Sequence, residues 1–164
     1  MAFFSFRDGR MPLAGIGPLF APPVALTAAA PFFWLKESAD IFAPLAVPSF
    51  AAGVLLLIYA FQLWFRAVFV SKMVQNVLGG RLMTEGAYAV TRNPVYTAIL
   101  AGGAGLILLS GNLFFLLLTP LWWLWLILLL RAGEEKWLRR TFGADYEEYC
   151  ARVPRCIPRL RRLF

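Results

Sequence analysis

Histidine is absent from this 164-residue chain. That excludes His-ligated metal sites and His general bases together. Cysteine is scarce, and both copies, Cys150 and Cys156, stand in a basic C-terminal stretch. Two are too few for a zinc site, so no metal is expected. On a reducing cytoplasmic side they are expected as free thiols, with palmitoylation the other use for them. Acidic residues are few as well: nine Asp and Glu stand against 16 Lys and Arg, for a net charge of +7. No nucleic-acid-binding module accompanies the basic balance, so nucleic acid is not expected as a partner. Any catalysis is left to carboxylates, Arg, Tyr, Asn or a bound cofactor.

Charge is missing altogether from long runs. Met11 to Leu35, Ile41 to Phe65 and Val95 to Leu130 contain none, and 60% of the chain is hydrophobic. Soluble domains sit nearer about 45–50% apolar, and a chain of this length has no soluble core large enough to hide these runs. Each is long enough to cross about 30 Å of hydrocarbon. The last run is divided by Ser110-Gly111-Asn112, a tight turn, into a helical hairpin. The expected spans are about 12–35, 43–66, 94–109 and 113–130. The first contains Pro12, Pro18, Pro22, Pro23 and Pro31, which withdraw backbone donors and weaken it. A secretory leader competes for that stretch, since Arg7 and Arg10 precede an apolar run reaching Ala28-Ala29-Ala30. The run continues through Phe32, Phe33 and Trp34, which favours a retained span. The second span is expected to continue to about Val77, where Gly79-Gly80 stops it. In the third, Ala98, Gly102 and Gly105 recur at helical spacing, so that another helix, or a ligand, can come close, with packing the favoured use.

Orientation follows from the remaining charge. The N-terminal stretch, the 66–92 loop and the 131–164 tail are basic, whereas the 36–40 and 110–112 turns are not. Four spans put the three basic stretches on one side, and the positive-inside rule makes that side cytoplasmic. The expected fold is therefore all-α: an integral-membrane domain of about four transmembrane helices, with a tight hairpin and a C-terminal cytoplasmic helical segment. The tail predicts a helix from Arg131 ending at Gly143. A second helix opens at Asp145-Tyr146-Glu147-Glu148, and Pro154 stops it. Tyr146, Tyr149 and Val153 share one face, able to lie on the membrane or to fold back over the bundle.

Two polar clusters converge on the cytoplasmic side. Tyr88, Arg92, Asn93 and Tyr96 precede the hairpin, and Arg131, Glu134 and Glu135 follow it. Asn93-Pro94 reads as N-cap and first position of the third span. Arg131 and Glu135 stand at i, i+4, the spacing of an ordinary surface pair.

In this order the residues resemble a known family. Gly86-x-Tyr88, Thr91-Arg92-Asn93-Pro94-x-Tyr96, a hydrophobic hairpin, Glu134-Glu135-x-x-Leu138-x-x-x-Phe142-Gly143-x-x-Tyr146-x-x-Tyr149 and Val153-Pro154-x-x-x-Pro158 are similar to the integral-membrane methyltransferases. That group includes isoprenylcysteine carboxyl methyltransferases and phospholipid N-methyltransferases. The resemblance spans residues 79–158. It implies S-adenosylmethionine as cofactor, bound near the cytoplasmic face under the C-terminal helices. It also implies a lipophilic acceptor from the bilayer, either an isoprenylcysteine carboxylate or a lipid headgroup amine. Tyr88, Arg92, Asn93, Pro94, Tyr96, Glu134 and Glu135 are the implied cofactor-binding residues, and Glu135 and Arg131 the implied catalytic ones. The family's usual Arg-His-Pro-x-Tyr carries Asn93 here in place of the His, and asparagine can hydrogen-bond but cannot act as a base. The implied location is the inner or plasma membrane or the endoplasmic reticulum, with both termini cytoplasmic. An NADPH-dependent membrane reductase of the sterol-reductase type and a non-enzymatic scaffold are the competing classes.

Overall fold

A computed structural model describes residues 15–34 and 44–157. The expected 36–40 turn, the starts of the first two spans, Arg7, Arg10 and the basic end from Pro158 onward lie outside the described residues. The elements in chain order are α1 (Gly17–Trp34), α2 (Ala46–Phe65), α3 (Met73–Leu78), α4 (Ala87–Val90), α5 (Pro94–Ser110), α6 (Leu118–Ala132) and α7 (Glu134–Arg152). A widened π turn at Arg66–Val70 extends α2, and a 3-10 turn at Leu113–Leu117 leads into α6. No strand occurs among the described residues.

Among the described residues, two helical segments are long and apolar enough to cross a membrane, Ala46–Val70 with 25 residues and Leu113–Ala132 with 20. The apolar stretches Gly17–Phe33 and Pro94–Ser110 are shorter. At 1.5 Å per residue the 17 residues of α5 rise about 26 Å. Much of the outer surface is apolar: Leu26, Phe33, Val47, Leu55, Phe61 and Leu121 are each at least 60% exposed.

The sequence order suggests α6 as the main neighbour of α5, because the turn at Gly111 joins them. Instead α5 packs most extensively on α2, then on α1. The reason is steric. The buried face of α2 carries Ser49, Gly53 and Ala60, and α5 brings Gly105 and Gly102 against it. A Cβ on Gly53 would lie 2.9 Å from the Gly105 carbonyl oxygen, and one on Gly105 would lie 3.1 Å from that of Gly53. The two backbones touch there, as small residues allow in helix pairs short of a hydrophobic driving force. The small-residue face foreseen on the third span is thus a helix contact.

On the other side of α5 a core forms from period-four stripes. Ile16 just before α1 and Phe20, Val24 and Ala28 along it form one stripe, and Trp122, Leu126 and Leu130 line α6. Pro22, Pro23 and Pro31 lie inside α1, which remains helical across them. The extension of α2 toward Val77 is interrupted at Ser71-Lys72, where Lys72 takes a left-handed conformation (φ 49°), before α3 resumes and Gly79 closes it. Within α7 two helical stretches meet at a kink at Gly143 (φ 50°, ψ −119°), the glycine at which one helix was expected to end and a second to follow. Its Tyr146, Tyr149 and Val153 face folds back onto the bundle and is buried.

Two glycine substitutions separate contact from mere proximity. Gly105→Val, which forces α2 and α5 apart, should lower stability by about 1–3 kcal/mol. Gly102→Ala, with the nearest atom to its new Cβ at 3.8 Å, should be neutral. Thermal melts in detergent check both, and equal melting temperatures for the two variants would contradict the packing described.

Candidate active site

The site begins at a glycine. Gly86 (φ 61°) lies so close to Ser71 that a Cβ there would meet its Oγ at 2.7 Å. The Ser71 hydroxyl accepts from the Ala87 N–H, so the Gly86-x-Tyr88 pattern reflects a close approach that only glycine permits. The short α4 that follows buries Tyr88. The chain then turns through Thr91, Arg92 and Asn93 into α5, with Pro94 in its first turn.

Asn93 occupies the N-cap position but its side chain does not cap the helix. Its Nδ2 donates instead to the Arg155 carbonyl at 2.9 Å. Neighbouring bonds have the same destination. The Arg92 N–H donates to Pro154 O at 2.9 Å, and the Thr91 hydroxyl reaches the carbonyls of Arg155 and Cys156 at 3.0 and 3.1 Å. The Thr97 hydroxyl also donates to Cys156 O. The segment opening α5 is therefore laced to the chain leaving α7.

Between α6 and α7 the helix breaks at Gly133 (φ −114°, ψ −89°). The break turns both following glutamates inward, and Glu134 and Glu135 are each only 4% exposed. They serve opposite sides. Glu134 Oε1 accepts from the Tyr96 hydroxyl at 2.5 Å and from the Ile16 N–H at 2.7 Å. Glu135 is held by Arg155, Nε to Oε1 at 2.5 Å and Nη2 to Oε2 at 2.9 Å, with Arg92 Nη1 at 3.7 Å. Gly15 makes the Glu134 contact possible: its φ is 49°, and a Cβ there would overlap the carboxylate.

These elements enclose a cavity of about 230 Å³. Tyr88, Arg92, Asn93, Pro94, Tyr96 and Glu134 all line it, facing Trp137, Leu138, Phe142, Tyr146 and Tyr149 of α7. Met73, Val77, Met83 and Ile99 make an apolar side. Tyr149 donates to the Tyr88 carbonyl at 2.6 Å, tying roof to floor. Arg92 Nη1 donates to the Tyr146 hydroxyl and to Cys150, while its buried Nε has no protein partner.

Two of the expected residues are placed elsewhere. Arg131 is exposed and is not among the residues lining the cavity. It lies before the Gly133 break, so it keeps the outward direction of α6. Glu135, expected to pair with Arg131 or to touch a cofactor, lies behind Arg92 and is not among the lining residues either. Arg155, Arg81 and Gly15 carry no site signal in the sequence, and Cys150 was expected only as a free thiol or a palmitoylation site. Nothing in a tail of many arginines distinguishes Arg155, and Gly15 stands inside the expected first span with nothing to mark it.

Burial pushes the Glu134 carboxyl above the usual carboxylate range, and the charge of Glu135 adds to this, against the hydrogen bonds from Tyr96 and Ile16. Burial likewise raises the phenols of Tyr88, Tyr146 and Tyr149, and it pushes the Cys156 thiol up to about 11. The bidentate bond to Glu135 raises the Arg155 guanidinium.

The fold and site together define a small helical protein with membrane-length helices and a cavity lined by both polar and apolar side chains. The chain matches the family model for phospholipid methyltransferase over residues 48–145, and it belongs to that family. It is similar to methanethiol S-methyltransferase 1 of Bradyrhizobium diazoefficiens, with 31% identity over 132 residues, covering 76% of this chain and 45% of the relative. It is also similar to protein-S-isoprenylcysteine O-methyltransferase of Schizosaccharomyces pombe, with 38% identity over 78 residues, covering 47% of this chain and 33% of that protein. The chain thus spans less than half the length of these curated relatives. No solved structure matches it.

The raised Glu134 carboxyl has a consequence for stability. Its folded value lies above its unfolded one, so stability falls as pH rises through that interval, where the folded state must give up a proton it holds more tightly. Glu134→Gln keeps an acceptor for Tyr96 and Ile16 and cannot ionise. Its melting temperature relative to the parent should rise as pH goes from about 5 to about 8, and a pH-independent difference would refute the shift.

Proposed function

We propose that this chain transfers a methyl group from S-adenosylmethionine to a lipophilic acceptor at the cytoplasmic face of a membrane. The observation that carries this reading is the cavity itself, which gathers a buried arginine, a buried carboxylate and four tyrosines beside an apolar wall. Family membership supports the reaction type. When bound, S-adenosylmethionine supplies a methyl group activated by a sulfonium. The residues fit its chemistry. Arg92 lines the cavity, and a guanidinium suits a carboxylate. Glu134 suits an ammonium or a ribose hydroxyl. The ring faces of Tyr88 and Tyr96 suit a sulfonium, and Trp137, Leu138 and Phe142 offer apolar walls to a base.

Methyl transfer is an in-line displacement, so alignment of the two reactants does most of the work. The tyrosine roof on α7 excludes water, and the lacing of Thr91–Thr97 to the 154–156 chain fixes the arginine. A carboxylate or thiolate acceptor needs no base. An amine must first lose a proton, and Glu134 lines the cavity with its carboxyl already shifted toward proton uptake. Asn93, standing where the related pattern has His, holds a backbone carbonyl and takes no proton. The relatives are named for methanethiol and for isoprenylcysteine; isoprenylcysteine or a lipid headgroup amine is the acceptor class favoured here. The apolar side of the cavity, formed by Met73, Val77, Met83 and Ile99, suits a lipid-borne chain.

The proposed topology has four crossings, with α1 and α5 as the shorter ones. Both termini and the cavity lie on the basic, cytoplasmic side of an inner, plasma or endoplasmic-reticulum membrane.

Calorimetric titration of the detergent-purified protein tests the reading. S-adenosylhomocysteine should bind, and Arg92→Ala should weaken it about tenfold or more, as loss of a charge-assisted bidentate contact would. Binding of NADPH in place of S-adenosylhomocysteine would overturn the proposal in favour of a reductase. Labelled methyl donor given to membranes should put label into a lipid or a prenylated peptide.

A further inference from the structure

Glu135 stands between two guanidiniums and is shared unequally. Arg155 grips both of its oxygens, at 2.5 and 2.9 Å, while Arg92 Nη1 stands off at 3.7 Å. The Glu135 and Arg92 side chains are 6% and 10% exposed, so solvent screens this trio weakly. A buried carboxylate beside one guanidinium closes onto it in a bidentate pair. Here that geometry is already taken by Arg155. Arg92 therefore has no closed pair with Glu135, and its buried Nε has no protein partner. With Arg92, Arg155 and Glu135 counted together, the trio keeps one positive charge beside the cavity.

Arg155 is fixed independently of its side chain. Its carbonyl accepts from the Thr91 hydroxyl and from Asn93 Nδ2. The two residues flanking Arg92 in sequence thus hold the backbone of the residue that holds Glu135. The arrangement sets all three charges in register with the start of α5.

We infer that Arg155 is a positioning residue: by occupying both oxygens of Glu135 it keeps Arg92 available to an anionic group in the cavity, the carboxylate at the amino-acid end of the methyl donor. The inference rests on the proposed function of the cavity and assigns a division of labour within it. Without Arg155, Glu135 turns to Arg92, closes the bidentate pair and neutralises it. The loss would then fall on ligands that carry the carboxylate. Adenosine-only ligands would be spared.

The test compares S-adenosylhomocysteine with 5′-methylthioadenosine, which keeps the adenosine and thioether and lacks the amino-acid carboxylate and ammonium. Both are titrated into the full chain in detergent. Arg155→Ala should weaken S-adenosylhomocysteine about tenfold or more while leaving 5′-methylthioadenosine within about twofold. Adding Glu135→Gln to Arg155→Ala should restore most of the lost affinity, because the glutamine cannot neutralise Arg92. A purely structural role for Arg155 would instead weaken both ligands together and gain nothing from the second change. Either that result, or unchanged S-adenosylhomocysteine binding in Arg155→Ala, overturns the inference while leaving the cavity's function standing. Failure of the parent protein to bind either ligand overturns the function itself, and the inference with it.

Discussion

Burying two neighbouring carboxylates beside an apolar bundle is costly unless each finds its own donors. Glu134 and Glu135 meet this demand in opposite directions. One draws in the N-terminal segment through Ile16 and α5 through Tyr96. The other draws in the end of α7 through Arg155. Adjacent residues of a helix point about 100° apart, so a pair of acids at one helix start can reach different segments of the chain. The break at Gly133 aims both of them inward. The cavity, its roof and its charge balance all depend on that one turn.

The small-residue seam between α2 and α5 supports this from the other side. Gly53 and Gly105 let the two backbones meet, which places the start of α5 close to α3 and α4. The Ser71–Gly86 contact then sets the loop that carries Tyr88. In this way a packing requirement within the apolar part of the chain determines where polar groups gather at its edge.

Much of this was legible in the sequence because it rests on local pattern. The turn at Gly111, the proline at the first turn of α5, the glycine face of that helix and the shared face of Tyr146, Tyr149 and Val153 all follow from spacing, though spacing leaves open whether that last face meets the membrane or the bundle. The convergence of Tyr88, Arg92, Asn93 and Tyr96 with Arg131, Glu134 and Glu135 is read from the hairpin; of the second group Glu134 lines the cavity, a choice between the glutamates that the sequence leaves open. What escaped depends on direction or on distant choice. Arg131 and Glu134 are three residues apart, the spacing of one helix face, and a backbone break between them sends them to different surroundings. Arg155 is one arginine among several in the tail, selected by carbonyls and a carboxylate far away in sequence. The choice of α2 as chief neighbour of α5 reflects steric complementarity between two helices, which chain order does not express. Asn93 combined both situations: its position was readable, but its partner was not.

The bonds that close the cavity join parts of the chain made at very different times. Ile16 and Glu134 are 118 residues apart, and Thr91 and Cys156 are 65 apart. Closing contacts of such long range costs loop entropy before it gains any interaction. The pocket is complete only when residues 154–156 are docked on the start of α5. Quality of assembly is then reported by these few contacts: a chain that is inserted and helical, yet undocked at its end, would look folded to a measure of helix content and still lack its site.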